Sequence, residues 1–423
     1  MYAVTLKYIE AIQKATRNFT WYGSIKDKNG ATYSYTASDI VKGTGSIVRS
    51  CAGSTSLELG SVYAAEFDVS LFSDIDRYLL YGGTISLTFR LKYSGGTYED
   101  VPLGIFIILE ATRAVHQISI KAFDNMLNFD KKYTVLSGKR TPYEWLQYAC
   151  GNCGVTLGMS TNEMSTLTNG SATVSINDSD GLIATYRDMI SYLAAMTCSV
   201  AQITRTGNLV LLPYSMIPIR TIANTWRYGS SFSDYETHYT GMYLLYKDSK
   251  KSTDEYYHVN NDDGLIYDIG QNPFLEISDN YTRAADMQNI INTLSTIYYT
   301  PFSITTPGDP ALDPMDVLAF TGGQAIPGKY ACITSITTKI NGQQEIKCVG
   351  ENPLLASAVT RESKLISIIE NVNESQDEDI SDMEDRLSTM ENIHVYIDHT
   401  PTAADLTGEN GKVFLVMDSE GIL

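Results

Sequence analysis

The chain has 423 residues, of which 43% are hydrophobic and 19% are charged, and its formal net charge at pH 7 is −18. This composition excludes a largely disordered chain, because enough apolar side chains are present to bury a core, and the length suits more than one domain. The acidity excludes non-specific DNA binding through a basic surface. Two interpretations of it stay open: the carboxylates only aid solubility, or some of them line a conduit through which DNA slides without binding.

The sequence also bears on where the protein is made. No run of about eighteen apolar residues predicts a transmembrane helix, so stable membrane insertion is not expected. Residues 1–7 lack the basic and apolar blocks of a signal peptide, which favours assembly in a cytoplasm. Six cysteines are few for this length, so we expect buried reduced thiols rather than a disulfide scaffold.

Residues 1–133 are predicted to form a first β-barrel domain that follows a short N-terminal segment. Thr84–Tyr93 alternates apolar and polar side chains, which is the period of a half-buried strand. Asn29-Gly30 favours a tight hairpin, because both residue types tolerate positive φ. Short strands with closely spaced turns are typical of a barrel or a sandwich.

Residues 134–215 change character and are predicted to form small mixed α/β domains. Thr141 is predicted to cap a helix that ends at Gly154, because proline and glutamate follow in its first turn. A second helix is predicted over Thr185–Thr197, with the acidic residues at 178–180 at its start. A Thr-Gly-Asn turn then predicts a small hairpin.

Residues 216–355 return to strands and are predicted to form a second β-barrel domain. Tyr239–Tyr246 is predicted as a strand, followed by a polar loop over Lys247–Glu255. Residues 281–298 are predicted as a helix whose apolar side consists of Ala285, Ile290, Ile291 and Leu294. This helix leads into the last part of the domain.

The end of this domain is the most informative part of the sequence. Gly308–Asp316 carries a glycine and two prolines, which fix a rigid turn. Asn341-Gly342 is a further hairpin signal. The predicted strands around these turns lie at 317–320, 330–340 and 345–350.

As a pattern, this β-meander resembles the last barrel domain of tail hub proteins, also called tail-tip or tail-associated baseplate hubs, of tailed bacteriophages and phage-like particles. The Glu-Leu-Gly segment at Glu58–Glu66 resembles a segment of the first barrel in that family. The order of barrel, mixed domains, helix and meander is similar as well. The resemblance covers roughly residues 15–355.

Residues 356–392 are predicted as a coiled-coil helix, because their seam positions recur at alternating spacings of three and four. The seam is polar in its middle, which weakens a coiled coil but fixes its register. A single amphipathic helix lying on the body is the alternative. Residues 393–423 are predicted as a small tip with a strand at 412–417. The predicted trimerisation residues are Ile366, Ile369, Asn373, Gln376, Ile380, Met383, Leu387 and Met390.

The predicted fold class is therefore mainly β with α+β insertions: two β-barrel domains separated by small mixed domains, then the coiled-coil helix. The resemblance implies a structural homotrimer that closes the distal end of a tail tube and opens for DNA ejection. The implied partners are a distal tail ring or tube protein, the tape-measure C-terminus, tip or receptor-binding proteins, and DNA only in transit. The implied location is the virion tail tip, after assembly in the host bacterial cytoplasm.

Two other functions stay open: a receptor-binding fibre anchor at the tail tip, and a cell-wall glycan hydrolase on a β-scaffold. Cys150 and Cys153 form a lone CxxC at the end of a predicted helix, whereas a redox motif opens a helix and zinc needs a second pair. The histidines form no HExxH pair, and no phosphate loop or Gly-x-Ser-x-Gly elbow is present. We therefore predict no enzyme, no catalytic residue, no cofactor and no metal ligand.

Overall fold

The computed structural model describes residues 2–353, except 54, 94, 179, 249–250, 261–263, 278, 326–327 and 341–342, and the backbone of short segments at 394–397, 414–418 and 421–422. By its contacts the chain divides into two compact units, Met1–Pro353 and Leu354–Leu423. The described residues are mainly β with few helices, as the sequence predicts.

The helices described all lie in the first unit. They are α1 (Leu6–Ile12), α2 (Pro142–Cys153), α3 (Thr161–Ser165), α4 (Tyr186–Met196) and α5 (Asn280–Leu294). The strands of the first unit are β1 (Asn18–Lys26), β2 (Thr32–Thr36), β3 (Ser46–Ser50), β4 (Glu66–Phe72), β5 (Thr84–Lys92), β6 (Tyr98–Ala114), β7 (Gln117–Phe123), β8 (Ser199–Ile203), β9 (Leu209–Pro213), β10 (Pro218–Ala223), β11 (Gly229–Phe232), β12 (Tyr239–Asp248), β13 (Lys251–His258), β14 (Leu265–Asp268), β15 (Phe302–Thr306), β16 (Val317–Thr321), β17 (Tyr330–Cys332), β18 (Ser335–Lys339) and β19 (Gln344–Cys348).

One large sheet dominates the first unit. Its eleven strands are hydrogen-bonded in the order β11-β15-β19-β18-β3-β4-β7-β6-β5-β1-β2. Strand β3 joins the two halves of the unit, because it pairs antiparallel with β4 on one side and with β18 on the other. The halves therefore share one sheet, and no closed barrel is found among the strands that the structure describes.

The sheet is strongly curled in its first half. Just after β2, the Val41 amide donates to the carbonyl of Ser70 on β4 (2.9 Å), and the Phe72 amide donates to the carbonyl of Asp39 (2.7 Å). Strands β2 and β4 stand at opposite ends of the stretch β4-β7-β6-β5-β1-β2. These bonds therefore bring the two ends of that stretch together around the core.

Side-chain alternation on β5 positions this core. Ile85, Leu87, Phe89 and Leu91 point to one side and are buried, while the residues between them are only half-buried. The ring of Phe89 packs against that of Trp21 on β1, with 4.9 Å between centroids. The strand predicted from the alternation is confirmed, because an apolar face of period two is buried only in an extended chain.

Local signals for turns and helix ends are confirmed as well. Asn29-Gly30 joins β1 to β2, and Gly30 has a φ of +91°. The side chains of Thr141 and Glu144 form a capping box at the start of α2, which satisfies amides that the first turn leaves unpaired. Helix α2 ends at Gly154, whose φ of +67° suits a residue without Cβ.

The second helix, predicted over Thr185–Thr197, is confirmed as α4, but Asp178 and Asp180 do not initiate it. The side chain of Thr185 caps α4. Asp178 instead accepts the backbone amides of Leu182 (2.6 Å) and Ile183 (3.1 Å), in the loop before the helix. An aspartate can fold a loop in this way as readily as it caps a helix, so its presence does not fix the helix start.

The predicted polar loop over Lys247–Glu255 is also wrong. Most of it belongs to strand β13, which pairs antiparallel with β12 from Asp248↔Lys251 to Gly241↔His258. The prediction fails because polar side chains indicate only that a segment is exposed to solvent. Here the exposed segment is extended, because its backbone pairs with β12 in a hairpin. The strand predicted at Tyr239–Tyr246 is confirmed within β12.

Helix α5 is shorter than predicted; Ile290, Ile291 and Leu294 of its predicted apolar side are buried, but Ala285 is not. It ends at Leu294, and Ala285 is exposed while Arg283 is buried. The Arg283 guanidinium lies 2.6 Å from the Glu255 carboxylate, measured from Nη2 to Oε1. A charged residue can occupy the inner side because this partner compensates its charge.

The strand predicted over 330–340 is two strands, β17 and β18. Between them, the Ile333 amide donates to the Asp316 carbonyl and the Met315 amide donates to the Ile333 carbonyl, both at 2.8 Å. This exchange with the Gly308–Asp316 turn interrupts the strand. The hairpin predicted at Asn341-Gly342 lies outside the described residues.

In the second unit, three short strands form one sheet. β20 (His394–Ile397) pairs parallel with β21 (Phe414–Asp418), which pairs antiparallel with β22 (Gly421–Ile422). The strand predicted at 412–417 corresponds to β21. The predicted coiled-coil residues between 366 and 390 lie outside the described residues, and the coiled coil stays a prediction.

Candidate functional site: a polar sheet face and the ionic anchor behind it

The large sheet turns one face toward the core and the other toward solvent, and we name the second one the sheet face. It is rich in hydroxyl groups, which pair across strands: Ser24 with Ser86 (3.1 Å between Oγ atoms) and Ser70 with Ser119 (2.8 Å). The hydroxyl residues on this face, most of which lie next to a buried residue on the same strand, are Ser24, Ser50, Ser70, Thr84, Ser86, Thr88, Thr112, Ser119, Ser303, Thr305, Ser335 and Thr337.

The two halves of the unit meet on this face. Along β18 and β3, residues pair from Ser335↔Ser50 to Lys339↔Ser46. The hydroxyl of Ser50 donates to that of Ser335 (3.3 Å) across this seam. The sheet face is thus continuous from the first half to the second.

Charged side chains on the sheet face largely offset one another. Lys121 Nζ lies 2.6 Å from Glu66 Oε1, and Lys339 Nζ lies 2.9 Å from Glu345 Oε1. Burial and the neighbouring carboxylate of Glu66 raise the pKa of Asp68 to about 6, so this carboxyl still carries most of its charge at neutral pH. Each of these two ion pairs therefore adds no net charge to the sheet face.

Behind the sheet, the Arg205 guanidinium joins three parts of the unit. Arg205 lies in the turn of the β8–β9 hairpin, and its Nη2 donates to Asp313 Oδ1 (2.8 Å) and to the Leu312 carbonyl (3.1 Å). Its Nη1 donates to the carbonyl of Pro102 on β6 (2.9 Å). Arg49 Nη1, from β3, lies 3.7 Å from Asp313 Oδ1. We name Arg49, Arg205 and Asp313 the ionic anchor.

The electrostatics of the ionic anchor follow from its burial. Burial opposes ionisation of Asp313, but the charges of Arg205 and Arg49 outweigh it and lower the pKa of Asp313. Burial and the nearby charge of Arg205 lower the pKa of Arg49 to about 10, so Arg49 stays cationic at neutral pH. All three side chains are therefore charged and mutually dependent, the arrangement in which loss of one partner is costly.

The Gly308–Asp316 turn is held at its other end by a second set of contacts. Tyr8 on α1 donates its hydroxyl to Asp309 Oδ1 (3.1 Å), and Arg220 Nε donates to Asp309 Oδ2 (3.4 Å). The Asp309 amide donates to Gln344 Oε1 (3.0 Å) on β19. The rigid turn predicted from its glycine and prolines is therefore fixed by buried polar contacts as well.

The sequence indicated this turn but not the arginines that bind it. Arg49 and Arg205 are separated from Asp313 by long stretches of chain, and no spacing relates them. The sequence offers one indication that Arg49 and Arg205 are buried, which is that neither lies in a run of charged residues typical of a solvated surface. Long-range pairing of this kind requires the folded topology.

The candidate thiols have an unreactive environment. Cys150 lies near the end of α2 and is buried, which raises the pKa of its thiol to about 12. Burial also raises the pKa of Cys153. A redox-active thiol has the opposite shift. Within the described part of the chain, no group of three histidine, cysteine or acidic side chains is placed to hold a metal ion, and no helix is long and apolar enough to cross a membrane.

No protein-family model and no curated protein sequence matches the chain. Several solved structures do. The 43 kDa tail protein of prophage MuSo2 from Shewanella oneidensis is 12% identical over 78% of this chain and 98% of its own, with a TM-score of 0.48. The tail protein from Neisseria meningitidis MC58 is 11% identical over 78% of this chain and 96% of its own, with a TM-score of 0.49.

A Francisella PdpA-VgrG complex is 10% identical over 81% of this chain and 54% of the matched chain, with a TM-score of 0.47. Models of the P2 phage baseplate are also among the structures matched. Phage tail and baseplate proteins, the class that the sequence resembles, are thus among the structures matched.

Proposed function

We propose that the chain is a structural tail hub that forms a homotrimeric ring closing the distal end of a phage tail tube. The single observation that carries this proposal is the eleven-stranded sheet shared by both halves. A sheet that runs without interruption through the chain can serve as one wall segment, and three such segments related by a threefold axis close a ring. Each half acts as one barrel-like unit, so a trimer presents six similar units to a sixfold tube.

In this proposal the sheet face lines the channel. Its hydroxyl groups and paired charges suit a surface past which DNA moves, because phosphates are held chiefly by unpaired lysine and arginine side chains. The remaining acidic residues then aid solubility rather than line the conduit. The partners would be a distal tail ring or tube protein above, the tape-measure C-terminus inside, and tip or receptor-binding proteins below.

The coiled coil belongs to the same proposal. Residues 356–392 would join three copies on the axis through the predicted trimerisation residues and carry residues 393–423 as a small tip. A lone amphipathic helix is the alternative for this segment. A receptor-binding fibre anchor is the alternative for the whole chain, and it differs in having a solid axis instead of a channel.

Electron microscopy of the purified protein and of particles tests this function. We expect a trimer with a central channel or plug and with the sheet face toward the axis. A monomer or a closed hexamer at assembly concentrations would contradict the hub, and a trimer with a solid axis would favour the fibre anchor.

Incubation with purified host cell wall is expected to release no glycan or peptide fragments, and reproducible turnover would favour the hydrolase instead.

A pair of substitutions tests which face lines the channel. Ser119→Lys with Ser335→Lys adds two cations to the sheet face of each copy, so six would converge on a channel in the trimer. We expect salt-sensitive binding of duplex DNA, because each added phosphate contact steepens the salt dependence. Thr161→Lys on the exposed end of α3 is the single-cation control, and we expect little DNA binding from it. If the double variant also fails to bind DNA at low salt, the sheet face does not line the channel.

A further inference from the structure

Two buried thiols meet where the two halves of the first unit join. Cys51 directly follows β3, and its amide donates to the Thr334 carbonyl (2.8 Å), which directly precedes β18. Cys332 is the last residue of β17. The thiols of Cys51 and Cys332 each donate to the Ile333 carbonyl, both at 3.5 Å. The Cys332 thiol is also in hydrogen-bond contact with the Cys51 thiol, so the two sulfur atoms are direct neighbours.

The backbone around each thiol holds this pair in place. The carbonyl of Cys51 accepts the Ser61 hydroxyl (2.6 Å), and Cys332 pairs with Val317 on β16. Both residues are buried, Cys51 at 1% exposure and Cys332 at 0%. Two reactive groups that a rigid framework keeps in contact have a high effective concentration toward each other. A bond between them is therefore favoured over a bond from either thiol to a small thiol in solution.

We propose that Cys51 and Cys332 are a latent disulfide, which links the two halves of the first unit once the protein passes from reducing to oxidising surroundings. Both are free thiols in the structure. The disulfide would add a covalent bond to the seam that β3 and β18 form through backbone pairing. Only the change of surroundings rests on the proposed function, in which the hub is assembled in a cytoplasm and leaves the cell with the particle.

The oxidant in this reaction is a low-molecular-weight disulfide, for which oxidised glutathione is the probe. One protein thiolate attacks a glutathione sulfur and forms a mixed disulfide, which releases one glutathione thiolate. The second protein thiolate then displaces the other glutathione. One disulfide bond is broken and one is formed, the two cysteines are oxidised, and their two protons are taken up by the two glutathione thiolates.

Burial makes this exchange slow in the folded chain. Burial and the contact with Cys51 raise the pKa of Cys332 well above its ordinary value, so little of the reactive thiolate is present. The oxidant also reaches the pair only when the strands at the seam open locally. Limited access slows oxidation and reduction alike. The thiols therefore persist until the seam opens, and the disulfide, once formed, resists reduction.

Cys348 is the competing partner for Cys332. It lies on β19, close enough for a charge on Cys332 to raise its pKa further, beyond the larger effect of burial. Its thiol donates to the carbonyl of its own neighbour Val349 (3.6 Å), however, and not to the carbonyl that the other two share. A disulfide between Cys332 and Cys348 would link two strands of the second half only, so the two pairings have different consequences.

Refolding of the full chain from urea in glutathione buffers tests the proposal, because the oxidant then has access to every thiol. After alkylation of the remaining thiols, mass spectrometry of non-reduced peptides should show Cys51 joined to Cys332 as the main disulfide. Cys198→Ala is the matched control, since Cys198 is also buried and its thiol donates to the Ile290 carbonyl (3.9 Å), and this variant should form the same disulfide. The folded chain should form it at least about tenfold more slowly than the refolding chain.

Urea denaturation measures the effect of the link. Oxidation should lower the unfolding equilibrium constant about a hundredfold, because the disulfide closes a long loop in the unfolded chain. A reductant should reverse this change, and Cys51→Ala should not show it.

Reduced Cys51 and Cys332 in a refolded, oxidised chain would overturn the inference, and so would pairing of Cys332 with Cys348. A disulfide between Cys51 and Cys332 that leaves the unfolding equilibrium constant unchanged would overturn the link between the halves. None of these results affects the proposed ring. A chain that forms the disulfide but never a ring would overturn the proposed function and leave the disulfide standing.

Discussion

Replacing Arg205 with methionine tests how strongly the ionic anchor stabilises the first unit. The substitution keeps much of the side-chain volume but removes the donors to Asp313, Pro102 and Leu312. The Arg205 side chain is 7% exposed and that of Asp313 is 20% exposed, so water replaces these bonds poorly. Arg49, at 3.7 Å, compensates the carboxylate only in part.

The expected magnitude follows from these contacts. Breaking a buried ion pair by removing one partner costs about 3–5 kcal/mol, because the remaining charge stays buried and uncompensated. Loss of a donor to each carbonyl adds about 1 kcal/mol per bond. With the partial compensation by Arg49, we expect the free energy of unfolding to fall by about 4 kcal/mol. Urea denaturation followed by circular dichroism measures this as a lower midpoint with an unchanged slope.

Two further variants make the test specific. Asp313→Asn in the Arg205→Met background removes the carboxylate charge that Arg205 no longer compensates, but it also takes the counter-charge from Arg49, so we expect it to recover only part of the loss. Lys339→Met breaks an ion pair whose side chains are 46% and 41% exposed, and it should cost less than about 1 kcal/mol. A cost below about 1 kcal/mol for Arg205→Met would refute the reasoning, and so would a double variant that is no more stable than the single one.

Three other predictions concern packing, pH and the C-terminal segment. A Cβ at Gly23 would lie 2.0 Å from a backbone carbonyl of β5, so Gly23→Ala should lower the free energy of unfolding by at least about 2 kcal/mol, measured by thermal denaturation. Gly151→Ala is the control: a Cβ there meets open space on α2, so this variant should be neutral or slightly stabilising. Burial raises the pKa of Asp124 to about 6, above its unfolded value, so its contribution to stability is lost as pH rises through 6. Relative to Asp124→Asn, the wild type should therefore lose about 1 kcal/mol between pH 5 and 8. Replacing Ile380 and Leu387 with aspartate should detach or disorder the C-terminal tip while the first unit stays folded.

Each of these has a contradicting result. Equal melting temperatures for Gly23→Ala and the wild type would mean that the β1–β5 contact yields easily. A pH dependence that is identical in the wild type and in Asp124→Asn would mean that this carboxyl is not desolvated. An ordered axial tip in electron micrographs of the Ile380 and Leu387 double variant would exclude the coiled coil.

Features set by neighbours in sequence were predictable. The alternation over Thr84–Lys92 and the cap at Thr141 each determine local structure within a few residues. Strand β13 was not predictable, because its polar side chains are typical of a loop while its extended form depends on pairing with β12. The sequence of this stretch indicates that its side chains are polar, but it does not indicate that its backbone is extended.

The features on which the proposed function depends lie beyond such local signals. Ser50 and Ser335, which meet at the seam of the sheet face, are 285 residues apart in the sequence. Neither serine carries a signal for its partner. The burial of Arg205 is likewise not predictable from the sequence, since a buried cation is identified only by the residues that pack around it in the folded chain. Resemblance to a family suggested two barrels, but it did not indicate that one strand would serve both halves.

This shared strand constrains how the proposed ring could open. Strand β3 carries backbone pairing on both of its edges, toward β4 and toward β18. Separating the halves would expose amides and carbonyls of an entire strand edge, and it would also pull Arg49 away from Asp313. A hinge at the seam is therefore unfavourable compared with movement at contacts between copies, which are smaller and more polar in most assemblies that come apart. If the chain forms the proposed ring, DNA release should proceed by copies shifting against one another as rigid bodies. Hydrogen exchange at β3 and β18 should then stay slow in particles before and after release, and rapid exchange there on release would mean that the seam itself opens.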